Sequence, residues 1–163
     1  MQLEIRSKLE RKLPKNIRLL DFSLAHALLL EHDPFQQAQI DYMPDWLDRL
    51  EIQAGLGPAF TLLEDGRIIS IFGACEIMPA VAEMWLLHHR TNYAKGRHGG
   101  AYARFSRDFV ETIGATMALQ RIQCSVECEN LRAIRFAKWL YFQTEGRMRK
   151  HGHADHFLMA RIF

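Results

Sequence analysis

The stretch AFTLLEDGRIISIFGACEI, residues 59–77, narrows the fold of this chain more than any other segment. Two runs of apolar and β-branched residues flank Asp65-Gly66. That dipeptide has the chemistry of a tight two-residue turn, because Asp and Gly tolerate the positive φ such a turn requires. The pattern predicts an antiparallel hairpin. A third strand is expected at 80–89, AVAEMWLLHH, directly after Pro79. Three consecutive strands present an apolar face that has to be covered, so helices must flank them.

The rest of the sequence supplies them. Residues 1–16 read as a polar, irregular N-terminal extension closed by Pro14, and Ile17–Asp21 (IRLLD) as a short strand. Ser23 or Asp21 can cap a helix carrying Leu24, Leu28 and Leu29 toward the core. Asp33-Pro34 restarts a helix, and Pro44-Asp45 does so again ahead of Trp46, Leu47 and Leu50, up to Gly55. Tyr102, Phe105, Phe109 and Ile113 recur at helical spacing, with Gly114 as the stop. RIQCSVECEN alternates Ile122, Cys124 and Val126 with polar neighbours and reads as a strand. Asn130 then caps a second long helix, LRAIRFAKWLYF, and the tail fits one or two closing strands. The order predicts an α/β fold: a mixed, mostly antiparallel central sheet flanked by helices, in a single domain over 17–163.

Composition excludes several functions. A 48% hydrophobic, 25% charged chain of 163 residues has the make-up of a soluble globular protein, and no apolar run reaches the roughly 20 residues of a membrane span. The N-terminus has no apolar signal segment, so the expected address is cytoplasmic. The net charge of +2 is spread out and no basic patch is interleaved with aromatics, which argues against nucleic acid as a partner. Cys75, Cys124 and Cys128 form no C-x-x-C pair and read as reduced, mostly buried thiols.

One stretch invites chemistry. KGRHGGAYARF, residues 95–105, places three glycines and three basic side chains in its first six positions, where a helix begins. Glycines let a backbone approach a ligand closely, and the free N–H groups of a helix N-terminus favour an anion such as a phosphate. A plain solvated turn has the same composition. The stretch is neither a P-loop nor a G-x-G-x-x-G fingerprint.

In its setting, Gly96-Arg97-His98-Gly99-Gly100-Ala101 resembles the acyl-CoA pyrophosphate loop of the GNAT N-acetyltransferase superfamily. Gly99 and Ala101 match that pattern, while Gly96 stands where Arg or Gln is usual, and Lys95 or Arg97 can supply the charge. VECENLRAIRFAKWLYF is similar to the family's strand-to-helix stretch, with Asn130, Ala133, Ile134, Leu140 and Phe142 on its positions. EDGRIIS resembles the early hairpin of the fold. The chain is also similar to GNAT-like proteins encoded by bacteriophages and prophages, some of them virion components.

The resemblance implies transfer of an acetyl group from acetyl-CoA to an amine of a small molecule or protein. It further implies a pyrophosphate anchor at Gly96–Ala101, backbone N–H donors around Leu86, Leu87 and His88, and Asn130 on the cofactor side. Glu83, on the third strand, is the expected base, with Glu76 in reserve. The family's general-acid tyrosine falls on Ala137; Tyr141, one turn further on the same helical face, is the expected substitute. The alternative is a non-catalytic GNAT-shaped structural or interaction protein, favoured by Ala137 and Gly96.

Other clusters carry less. His151, His153, Asp155 and His156 lie within six residues, but His151-Gly152-His153 reads as a hairpin turn, and no metal is expected. Of His88 and His89, at most one faces a ligand. Tyr42 and Trp46 are candidates to border an acceptor pocket. Edge strands near the C-terminus make a homodimer an expectation.

Overall fold

In the computed structural model, which describes residues 1–90 and 99–163, the hairpin forms as its turn chemistry dictates. Strands β2 (Ala59–Glu64) and β3 (Arg67–Met78) meet at Asp65 and Gly66, with φ of 49° and 81°. With β1 (Ile17–Asp21) and β4 (Val81–His88) they make an antiparallel meander. The second half of the sheet holds β5 (Arg121–Glu127), β6 (Gln143–His151) and β7 (Ala154–Ile162). The seven strands run in the order β1-β2-β3-β4-β5-β7-β6, and the β4–β5 pair is parallel.

Helices cover both faces. On one lie α1 (Gln2–Glu10), α5 (Gly99–Thr116) and α6 (Leu131–Trp139). Phe105, Phe109, Val110 and Ile113 of α5 are buried there, and Phe109 meets Phe72 edge-on at 4.6 Å. On the other face α2 (Leu24–Leu29) and α4 (Trp46–Gly55) pack a smaller core of Ala27, Leu30, Leu50 and Ile71, with Trp46, Leu47, Trp85 and Leu87 around it. Helix α3 (Pro34–Tyr42) buries none of its residues. The expected caps form: Ser23 Oγ accepts from Ala25 N–H, and Asp33 Oδ1 from Phe35 N–H.

The structure corrects four readings of the sequence. Residues 1–16 are not an irregular extension: α1 carries Ile5 and Leu9 one turn apart, both at 0% exposure in the main core. Two apolar residues in a polar helix suffice when they share a face. Leu28 and Leu29 face solvent, and Ala27 and Leu30 take the buried positions of α2 and its end. Gly114 does not end α5; its missing side chain makes room for Phe163, whose ring lies 2.4 Å from where a Cβ would sit. Helix α6 ends at Trp139, short of the apolar run that continues to Phe142. No helix among the described residues is long and apolar enough to cross a membrane.

Candidate active site

The parallel joint between β4 and β5 is short. Val81, Ala82 and Glu83 pair with Arg121, Ile122 and Gln123, and there the pairing stops. Both strands continue, β4 to His88 beside β3 and β5 to Glu127 beside β7. The sheet therefore opens between Met84–His88 and Cys124–Glu127. Side chains of Leu86, Cys124, Val126 and Phe136, partly buried against the main core, give this opening apolar walls.

Glu83 stands at the last rung before the opening. Its backbone carbonyl faces the Cys75 thiol (S···O 3.6 Å). Burial, and secondarily the Glu83 charge, raises the pKa of Cys75 and pushes that of Cys124 up to about 12. Both thiols are thus neutral, and neither competes as a thiolate nucleophile. Glu76, the reserve, accepts a hydrogen bond from Ala80 N–H (3.2 Å) and braces the β3–β4 turn.

His88 closes the far end of β4. Its Nδ1 lies 3.1 Å from the Tyr102 hydroxyl, and its ring packs edge-on against Phe136, which stacks on Tyr102 at 5.9 Å and 11°. Burial lowers the His88 pKa to about 4, with Asp33 opposing and Arg132 assisting that shift. Burial also raises the phenol of Tyr102 well above its usual range. Both groups are neutral at neutral pH. The imidazole faces α5 and α6, and its neighbour His89 takes part in a bridge with His32.

The backbone edge of β4 in the opening has partners of its own. Residues 31–33 lie antiparallel beside its end, with His32 bridging His89, and the first turn of α3 follows at Pro34. Arg90 N–H donates to Glu31 O (2.7 Å) and Asp33 N–H to His88 O (3.1 Å). The Gln36 carboxamide then completes the edge: Nε2 donates to Leu86 O at 2.7 Å, and Oε1 accepts from His88 N–H at 2.7 Å. Asp33 also approaches Arg132 of α6 at 3.9 Å across the opening. Sequence reading had no signal for Gln36, since its partner is the main chain of a distant strand.

Gly96, Arg97 and His98 lie outside the described residues, and Gly99, Gly100 and Ala101 are the first residues of α5. Asn130 caps α6, its Oδ1 accepting from Ala133 N–H at 3.0 Å. Tyr141 is a correction. Because α6 ends at Trp139, the same-face spacing from Ala137 fails; Tyr141 lies beyond the cap with φ +71° and 56% exposed. Its ring rests against the guanidinium groups of Arg107 (4.5 Å) and Arg161 (5.3 Å). Ala137, where the resemblance would place a tyrosine, is buried in the core.

Tyr42, at the end of α3, lies 6.3 Å from the ring of His153, and Trp46 packs edge-on to His32. His153 Nε2 is 3.0 Å from Glu127 Oε2, and the rings of His151 and His153 both contact His156. No group of three or more His, Cys, Asp or Glu among the described residues is placed to hold a metal ion. Two surface hollows, of about 430 Å³ beside Arg6 and Pro14 and about 350 Å³ beside Tyr141 and Gln143, lie away from the opening.

Comparison with known proteins gives the fold its class. No protein-family model matches the sequence, and no curated protein does. Solved structures match along nearly the whole chain. A ribosomal-protein-S5-alanine acetyltransferase from Vibrio fischeri superposes with a TM-score of 0.64 at 15% identity, covering 91% of this chain and 94% of that one. A ribosomal L7/L12 alpha-N-protein acetyltransferase solved with coenzyme A gives 0.65 at 14%, covering 93% and 96%. A GNAT-family acetyltransferase from Bacillus anthracis gives 0.64 at 13%, covering 91% and 95%. The chain has the fold of the GNAT acetyltransferases.

Proposed function

We propose that this chain is an acyl-CoA-dependent N-acetyltransferase acting on an amine. The observation that carries the reading is the opening between β4 and β5, beside apolar side chains of the main core, where the β4 edge beyond Glu83 is no longer paired with β5. The residues fit the cofactor: the Gln36 carboxamide seats on Leu86 O and His88 N–H at 2.7 Å each, and the pantetheine arm of CoA carries two groups of that same chemistry. Leu86 and His88 would hold the arm through their backbone, Leu87 turning its own groups toward Ile71 of β3, and the loop Gly96 to Ala101 would hold the pyrophosphate, with Lys95, Arg97 and His98 adding charge.

Acetyl-CoA supplies the acetyl group as a thioester, whose thiolate is a good leaving group. Glu83 takes the proton from the attacking ammonium, so that the nitrogen lone pair can form the new C–N bond as the C–S bond breaks. Strand alternation turns the Leu86 N–H to the same edge as its carbonyl, where it stabilises the oxygen that gains charge. The leaving thiolate takes its proton from solvent, since Tyr141 is held elsewhere. The acceptor is a small-molecule amine or a protein N-terminus.

A second reading is a non-catalytic GNAT-shaped structural or interaction protein. The occupation of the β4 edge by residues 31–36 favours it, together with the buried Ala137. Thermal unfolding with and without millimolar CoA separates the two. Ligand at about 100 times its Kd adds about 2.7 kcal/mol, a shift of a few degrees. An amine screen then follows, in which Glu83→Gln should lose at least about 10²-fold in turnover while keeping the CoA shift. A CoA shift with no Glu83 dependence would remove the base assignment.

A further inference from the structure

The segment that fills the β4 edge is joined to the fold unlike its neighbours. From Glu31 to Gln36 it contributes two backbone hydrogen bonds, one side-chain carboxamide and two ion pairs, Glu31–Arg90 at 2.7 Å and Asp33–Arg132 at 3.9 Å. Its last three residues are the first turn of helix α3, which buries no residue. The helix is therefore held at its N-terminal end by Asp33 and Gln36 on β4, and at its far end by the contact of Tyr42 with His153. Such an element leaves the body of the protein at little cost in apolar burial.

We propose that Glu31–Gln36 is a gate over the cofactor edge and that Gln36 is its latch. The proposal rests on the acyl-CoA reading above. An amide on Leu86 O and His88 N–H cannot share them with Gln36, because each group is already engaged at 2.7 Å. Cofactor binding exchanges one carboxamide for another and swings α3 off β4. The closed state lowers the apparent affinity by the fraction of molecules that are open. Gating also gives an order of events: CoA enters first, and displaced α3 then borders the acceptor's approach.

The test is calorimetric titration of CoA into the parent, Gln36→Ala and Gln36→Asn, with amide hydrogen exchange at His88 as a second readout. Circular dichroism verifies folding, and Gln36→Asn, too short to span both groups, decides the matter if Gln36→Ala unfolds. The expected result is CoA binding about tenfold tighter in the variants, the scale of two exchanged hydrogen bonds. The His88 amide should exchange faster in the free variants and regain protection with CoA. Equal or weaker CoA binding by folded variants, with the parent still binding, overturns the gate and leaves the cofactor reading standing. No heat and no protection in any of the three at millimolar CoA overturns both.

Discussion

Gly114 and Phe163 occupy one another's space: a Cβ on Gly114 would lie 2.4 Å from the Phe163 ring. Gly114 sits within α5, where glycine costs about 1 kcal/mol relative to alanine. Helix propensity and packing therefore oppose each other at this site. Gly114→Ala should gain nothing or lose stability in the parent, and gain about 0.5–1 kcal/mol when Phe163 is already alanine. Urea unfolding of the four proteins of that cycle measures the coupling, and additive changes would show that the ring moves aside freely.

Ile5 and Leu9 test whether the first helix belongs to the core. Both are fully buried, so Ile5→Ala or Leu9→Ala should cost about 2–5 kcal/mol. Losses below about 0.5 kcal/mol in chemical denaturation would return residues 1–16 to the status of an appendage.

Tyr141 gives a sharp negative expectation. Its ring stacks with Arg107 and Arg161 and its hydroxyl has no part in the proposed chemistry. Tyr141→Phe should keep turnover within about twofold and leave the melting temperature unchanged, because phenylalanine retains the cation–π face. A drop of about tenfold or more in kcat at unchanged KM would restore it as the proton donor.

His88 makes stability depend on pH. Its folded pKa, about 4, lies below the ordinary 6.5, so the unfolded chain binds the extra proton first. Stability is full well above pH 6.5 and falls as pH drops from 6.5 toward 4, by about 3 kcal/mol for this group. His32 and His156 shift in the same direction through burial and add to the slope. Melting temperatures at pH 7.5, 6.5, 5.5 and 4.5 should decline through that window, and His88→Gln should flatten the decline. A parent curve already flat there would contradict a buried neutral imidazole.

What the sequence made legible was local. Ser23, Asp33 and Asn130 cap helices through side-chain bonds reaching two or three residues, and Asp65-Gly66 fixes its turn alone. Helix α1 was hidden because only its Ile5/Leu9 face is apolar. Leu28 and Leu29 misled because adjacent leucines cannot share one helical face, and the core took Ala27 and Leu30. Within the site, Glu83 was legible as a strand residue, and it stands on the last rung of the β4–β5 joint. Gln36 was not, since its partners are main-chain groups 50 and 52 residues away and carry no side-chain signature. Tyr141 was misplaced because an apolar run does not report where the last helical hydrogen bond falls.

The three-rung joint between β4 and β5 also has a kinetic consequence. The hairpins β2–β3, β3–β4 and β6–β7 close between consecutive strands, whereas β1–β2, β4–β5 and β5–β7 must bring together distant partners such as Ile17 and Glu64, Val81 and Arg121, and Arg121 and Ile162. Contacts so distant in sequence repay their loop-closure entropy late. Folding should therefore raise the hairpins first, and the cleft, which is the unpaired remainder of the β4–β5 joint, comes into being only with the later, long-range pairings.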